Sequence, residues 1–144
     1  EMREIIQDAG LPFIIKGIMT VEGARKAMKA GAAGIVVSNH GGRVLDGCPA
    51  TAEVLPAIVQ AVRAESGMKI LVDGGIRSGL DVFRALALGA DACLICRPFV
   101  TAIYGGAEEG IRSYVEKIGN ELKDVMEMCG ARSVQDIGPR MIWR

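Results

Sequence analysis

Gly17-Ile18-Met19-Thr20 recurs 58 residues later as Gly75-Ile76-Arg77-Ser78, and Ala27-Met28-Lys29-Ala30-Gly31-Ala32 recurs at the same offset as Ala85-Leu86-Ala87-Leu88-Gly89-Ala90. Thr20 and Ser78 can cap the amino end of a helix, and Gly31 and Gly89 stand where that helix would stop. Short apolar runs rich in branched residues surround the copies, at 12–16, 34–38, 69–73 and 92–96. Runs of this kind predict buried strands of a parallel sheet. Amphipathic segments at 21–30, 52–65, 80–88 and about 107–128 predict the helices, with Gly130 after the last.

The offset covers two strand-helix units, so the same packing problem is solved twice with similar residues. A (β/α)8 barrel produces this repetition, and it typically needs about 250 residues. Four units amount to half of one. A doubly wound sheet has the same alternation, but no G-x-G-x-x-G opens a helix here. The reading is therefore α/β, four βα units of a TIM barrel closed by a long final helix. The chain opens with Glu1 in an amphipathic stretch that reads as the last turns of a helix ending at Gly10, with Pro12 just beyond. On this reading the natural beginning of the protein lies upstream.

Half of the 144 residues are apolar, enough to bury a core. Seventeen basic residues balance seventeen acidic ones, so no net field draws nucleic acid or an anionic membrane. No apolar run approaches the roughly 20 residues that span a bilayer. A soluble, cytoplasmic protein is expected. Cys48, Cys93, Cys96 and Cys129 are too few and too irregular for a secreted disulfide framework. Cys93 and Cys96 form a C-x-x-C, but a strand turns residues three apart to opposite faces, which disfavours a metal or redox pair. The methionines form no cofactor box, and Trp143 either packs the tail or faces a partner segment.

Barrel enzymes place their chemistry where strands end. Those positions hold Lys16-Gly17, Ser38-Asn39-His40-Gly41-Gly42-Arg43, Asp73-Gly74-Gly75-Ile76-Arg77 and Cys96-Arg97-Pro98. His40 is the only histidine and suits a general base, since an unperturbed imidazole accepts a proton near neutrality. Arg43, Arg77 and Arg97 set three guanidinium groups on one rim, each able to grip a carboxylate or phosphate. Gly74 and Gly75 before a Ser-capped helix, together with Cys96-Arg97, make a phosphate site from backbone N–H groups and one cation, although two glycines could also serve only a tight turn. Lys16 replaces an apolar residue at its strand end, which is costly unless its ammonium faces an anion. Asp73 is expected to order the adjoining loop or to pair with a rim arginine.

Ser38 to Asp46, then Asp73 to Gly79, then Ala85 to Ala90 together closely resemble the FMN-dependent α-hydroxy acid oxidase and dehydrogenase family, which includes glycolate oxidase, lactate oxidase and flavocytochrome-type lactate dehydrogenase. The resemblance runs from Pro12 to the tail. It implies that residues 1–144 are a single partial domain, the carboxyl-terminal half of an FMN-binding TIM barrel. It further implies oxidation of a small 2-hydroxy acid, with His40 removing a proton, Arg43 binding the substrate carboxylate and Arg77 assisting. Lys16 would lie near the flavin N1–O2 edge and Ser38 against the ring. The backbone of Asp73, Gly74, Gly75, Ile76 and Arg77, with Cys96 and Arg97, would hold the ribityl chain and phosphate. The family usually has Gly at the position of Cys96 and Gln at that of Val44.

The implied partners are the first half of the barrel or a second copy of this chain, as a homo-oligomer. Two other readings stand beside it, a non-catalytic flavin- or phosphate-binding half-barrel and a different FMN or phosphate barrel such as type 2 isopentenyl diphosphate isomerase or inosine monophosphate dehydrogenase. The His40/Arg43 pair argues against the last.

Overall fold

Parallel pairing links four strands in chain order in the computed structural model, which describes residues 1–143. They are β1 (Ile14–Ile18), β2 (Gly34–Val37), β3 (Lys69–Val72) and β4 (Ala92–Cys93). Every crossover steps to the next strand in the same direction, as in a barrel, whereas a doubly wound sheet reverses at a switch point. The helices are α1 (Met2–Ala9), α2 (Val21–Ala30), α3 (Thr51–Arg63), α4 (Gly79–Ala87) and α5 (Arg97–Cys129). Thr20 and Ser78 cap α2 and α4, and Gly31 and Gly89 follow them with left-handed backbones.

Alternation along the strands sorts side chains between two faces. Ile35, Val37, Ile70 and Val72 face the helices, where they pack with Ala24, Ala27, Leu55, Ile58 and Val62 in one buried cluster. The register sets Lys16 beside Val36, Val36 beside Leu71 and Leu71 beside Ala92 on the opposite face. That second face is less covered, and Ile14 on it is 50% exposed. Continuing the alternation past the strand ends puts Ser38 and Asp73 on the face of Lys16.

Three elements differ from the sequence expectation. β1 runs from Ile14 to Ile18 rather than over 12–16, because a bulge at Gly17, with φ 94°, lets pairing resume at Ile18. β4 stops at Cys93 instead of residue 96, although the Leu94 N–H still donates to the Val72 carbonyl at 2.9 Å. The final helix starts at Arg97, ten residues early, and Pro98 in its first turn is the overlooked signal. It is two arms, broken where Gly106 takes φ −164°, ψ 20° and Ala107 takes φ 45°, ψ −126°. The arms fold onto each other so tightly that a Cβ on Gly110 would lie 2.0 Å from the Ala102 carbonyl oxygen. Trp143 is fully exposed, so it does not pack the tail.

The second arm of α5 closes over the start of α4. Phe83 and Ala87 of α4 are buried with Ala131 and Ile137, and Leu122, Val125 and Met126 pack against them. At the crossing, the Gly79 N–H donates to Glu121 Oε2 at 2.8 Å. Hydrogen bonds from Lys117 and from Gly79 hold the Glu121 carboxyl below its ordinary range, so it stays ionised as an acceptor. A Cβ on Gly79 would sit 2.2 Å from the Leu122 nitrogen, a contact no side chain can relieve because the obstacle is backbone. Gly79→Ala is therefore expected to destabilise the fold by about 1–3 kcal/mol, the range of overpacked cores. Urea unfolding followed by circular dichroism checks it, with a lowered midpoint as the expected result.

Candidate active site at the strand ends

Lys16, Ser38 and Asp73 meet at the carboxyl ends of three adjacent strands. The Lys16 ammonium donates to Ser38 Oγ at 2.8 Å and pairs with Asp73 Oδ2 at 3.1 Å. Asp73 thus finds its partner in Lys16 rather than in a rim arginine, because inward-facing positions of β1 and β3 converge across β2. Ser38 is fully buried, and its hydroxyl oxygen also accepts the His40 backbone N–H at 3.2 Å. The Asp73 backbone carbonyl accepts a 2.7 Å hydrogen bond from Thr51 Oγ1, a residue the sequence reading did not single out. Among the described residues the second carboxylate oxygen, Asp73 Oδ1, is buried and has no partner. A buried acceptor in that state calls for a donor.

The loop after β2 is built by Asn39. Its side-chain oxygen accepts from the Gly41 and Gly42 N–H groups at 3.1 and 3.2 Å, while its amide nitrogen donates to the Pro49 carbonyl at 3.2 Å. This turn holds His40 at φ 56°, a left-handed conformation uncommon outside glycine. The imidazole swings over Gly17, where an added Cβ would lie 2.8 Å from His40 Cε1. Gly17 is thus required twice, for its bulge and for the space under the histidine. Arg97 reaches back from α5 to the same loop, its Nη2 3.0 Å from where a Cβ on Gly41 would be. Arg43 and Arg77 are exposed at the same end of the sheet.

A pocket of about 370 Å³ opens here, lined by Asn39, Gly41, Gly74, Gly75, Ile76 and Arg97 and running on between α3 and α4. Gly74 and Gly75 turn with φ 91° and 80°, and nothing lies within 4 Å of a Cβ position on Gly75. The two glycines thus expose backbone to the pocket that Arg97 also lines. Cys96 precedes the first turn of α5 with φ −118° and ψ −80°.

Cys93 and Cys96 are both free, and burial pushes the Cys93 thiol up to about 11. A group so raised remains protonated through neutral pH and is a poor ligand and nucleophile. Among the described residues no cluster of three or more His, Cys, Asp or Glu could hold a metal ion, and no helix is long and apolar enough to cross a membrane.

A parallel α/β sheet thus carries a histidine, a lysine, three arginines and a glycine turn at its strand ends. The whole chain, residues 1–144, matches the model of the FMN-dependent dehydrogenase family, and the chain belongs to that family. It is 52% identical over 127 residues to L-lactate dehydrogenase of Stenotrophomonas maltophilia strain R551-3, covering 88% of this chain and 33% of the relative. It is 51% identical over 124 residues to 4-hydroxymandelate oxidase of Amycolatopsis orientalis, covering 86% and 34%. Among solved structures, a mandelate oxidase variant with (S)-mandelic acid superposes with a TM-score of 0.88 at 47% identity, over 93% of this chain and 39% of that one. A Pediococcus acidilactici structure assigned as a lactate oxidase gives a TM-score of 0.90 at 43% identity, over 96% and 38%. The chain spans about a third of the length of the curated relatives it matches. These TIM-barrel neighbours bear out the barrel reading of the four βα units and the FMN dependence of the family.

The thiols should separate by reactivity. With iodoacetamide at pH 8, exposed Cys96 and Cys129 are expected to be alkylated in the folded protein while Cys93 is spared, and peptide mass spectrometry reads the difference. The sign follows from the raised value: the reactive thiolate of Cys93 forms only as pH climbs toward about 11.

Proposed function

We propose that this chain is the carboxyl-terminal half of an FMN-binding barrel, one partial domain over residues 1–144, in an enzyme that oxidises a small (S)-2-hydroxy acid of the lactate or glycolate kind to the 2-oxo acid. One observation carries the reading: the Ser38 hydroxyl joins the Lys16 ammonium to the backbone of His40, whose ring overhangs Gly17, so base and cation share one strand mouth.

The residues present fit the cofactor. The unpartnered Asp73 Oδ1 suits a hydroxyl donor such as the ribityl chain offers, and the open Gly74-Gly75 turn beside Arg97 suits a phosphate. The backbone of Ile76 continues that cradle and Cys96 contributes its N–H, whereas the backbone of Arg77, expected to join them, has its N–H committed to Asp81 and its carbonyl to Tyr114. Lys16 would stabilise negative charge at the N1–O2 edge, with Ser38 against the ring. When bound, the flavin supplies the two-electron acceptor for the substrate α-carbon.

This chain's own side chains then divide the remaining work. Arg43 pairs with the substrate carboxylate through its planar fork, and Arg77 supports it from the neighbouring strand end. His40 takes a proton from the bound acid through a ring nitrogen. Its left-handed backbone, fixed by Ser38 and the Asn39 turn, aims the imidazole before substrate arrives. The first half of the barrel is the partner that covers the exposed inner face at Ile14. Two of the similar proteins, L-lactate dehydrogenase of Stenotrophomonas maltophilia and the mandelate oxidase variant with (S)-mandelic acid, support a small 2-hydroxy acid as substrate.

In the full-length protein, His40→Asn is expected to lower kcat with L-lactate or glycolate by roughly 100- to 10,000-fold, the usual contribution of a positioned base. The visible flavin spectrum should persist. An undiminished rate would refute the assignment.

A further inference from the structure

The anion cradle described above comes from two separate pieces of chain, the loop from Gly74 to Arg77 after β3 and the first arm of α5, which carries Arg97. Neither contacts the other through a hydrogen bond or ion pair among the described residues. Something must fix their spacing, because a phosphate held by amides from one piece and a guanidinium from the other loses affinity if either drifts.

Tyr114, on the second arm of α5, touches both. Its phenol O–H donates to the Arg77 carbonyl at 2.9 Å. Its ring meets Phe99 edge to face, with centroids 5.1 Å apart and planes at 83°. Phe99 lies two residues beyond Arg97 on the first arm. The loop is gripped from the other side as well, since the Arg77 N–H donates to Asp81 Oδ2 at 3.1 Å. Burial raises the Tyr114 phenol above its ordinary value, which keeps the donating proton in place. The second arm is itself anchored by the Gly79 to Glu121 hydrogen bond, so the tether has a fixed base.

From this geometry we infer that Tyr114 is a positioning residue that sets the distance between the Gly74–Arg77 loop and Arg97, and thereby the grip on the phosphate of the cofactor. The inference rests on the proposed placement of that phosphate, so its test must separate the two. Riboflavin, which has the same ring and ribityl chain without the phosphate, is the reference ligand. A side chain that acts on the phosphate grip changes FMN affinity and leaves riboflavin affinity alone, whereas general loosening of the fold weakens both.

The experiment uses the full-length apoprotein and measures FMN and riboflavin dissociation constants by quenching of flavin fluorescence. Tyr114→Phe removes only the hydrogen bond and is expected to reduce the FMN-over-riboflavin preference about two- to tenfold, the worth of one net hydrogen bond. Phe99→Leu removes the ring contact from the other side and is expected to act in the same direction. Arg97→Gln reports on the phosphate placement itself and should reduce the preference further than either. If Arg97→Gln lowers the preference but Tyr114→Phe and Phe99→Leu leave it unchanged, or weaken both ligands equally, the tether is overturned while the phosphate site stands. If Arg97→Gln leaves the preference unchanged, the phosphate site is overturned and the tether with it.

Discussion

The ammonium of Lys16 stands on the inner face of a parallel sheet, in a position that its strand would otherwise give to an apolar residue. It can stay there because Ser38 and Asp73 meet it from the next two strands. That one convergence fixes much else. Ser38 is committed to the lysine and to the His40 backbone at once, so the histidine loop is registered against β1 through a single buried hydroxyl. Asp73 gives one carboxylate oxygen to the lysine and keeps the other buried and unpartnered, while its backbone is pinned by Thr51. A polar network with one unfilled acceptor is a poor stabiliser of an isolated fold and a good receptor for a donor that completes it.

Around this centre, close approach of backbone does the positioning. Gly17 leaves room for an imidazole, Gly41 lies under the Arg97 guanidinium, and Gly79 sits against the backbone of the second arm of α5. Each is a place where a methyl group would displace a functional side chain or separate two helices. The outer helices therefore serve the site as well as the core. α5 supplies Arg97 with its first arm and holds the start of α4 with its second, and the break at Gly106 and Ala107 makes this double use possible.

Much of this was legible in the sequence. The repeat at 58 residues, the caps Thr20 and Ser78 and the glycine helix ends all depend on local backbone preference, and all appear where expected. The barrel class followed from the repeat, and the family from paired motifs at strand ends. What escaped was non-local or turned on one residue. The bulge at Gly17 moved β1 by two residues, and Pro98 opened a helical arm whose end at Gly105-Gly106 masked it. Thr51 and Tyr114 drew no attention because nothing beside them in the chain shows what they will touch.

The sequence by itself determined the order of strands and helices, the strand-end location of His40, Arg43, Arg77 and Arg97, and the family, because these depend on periodicity, on capping chemistry and on contiguous motifs. Only the tertiary structure decided that Asp73 belongs to Lys16, that the His40 ring lies over Gly17, and that Arg97 crosses to Gly41. Those pairings join residues 23 to 57 positions apart, and a chain can bring them together only after sheet register and helix packing have fixed which strand ends are neighbours.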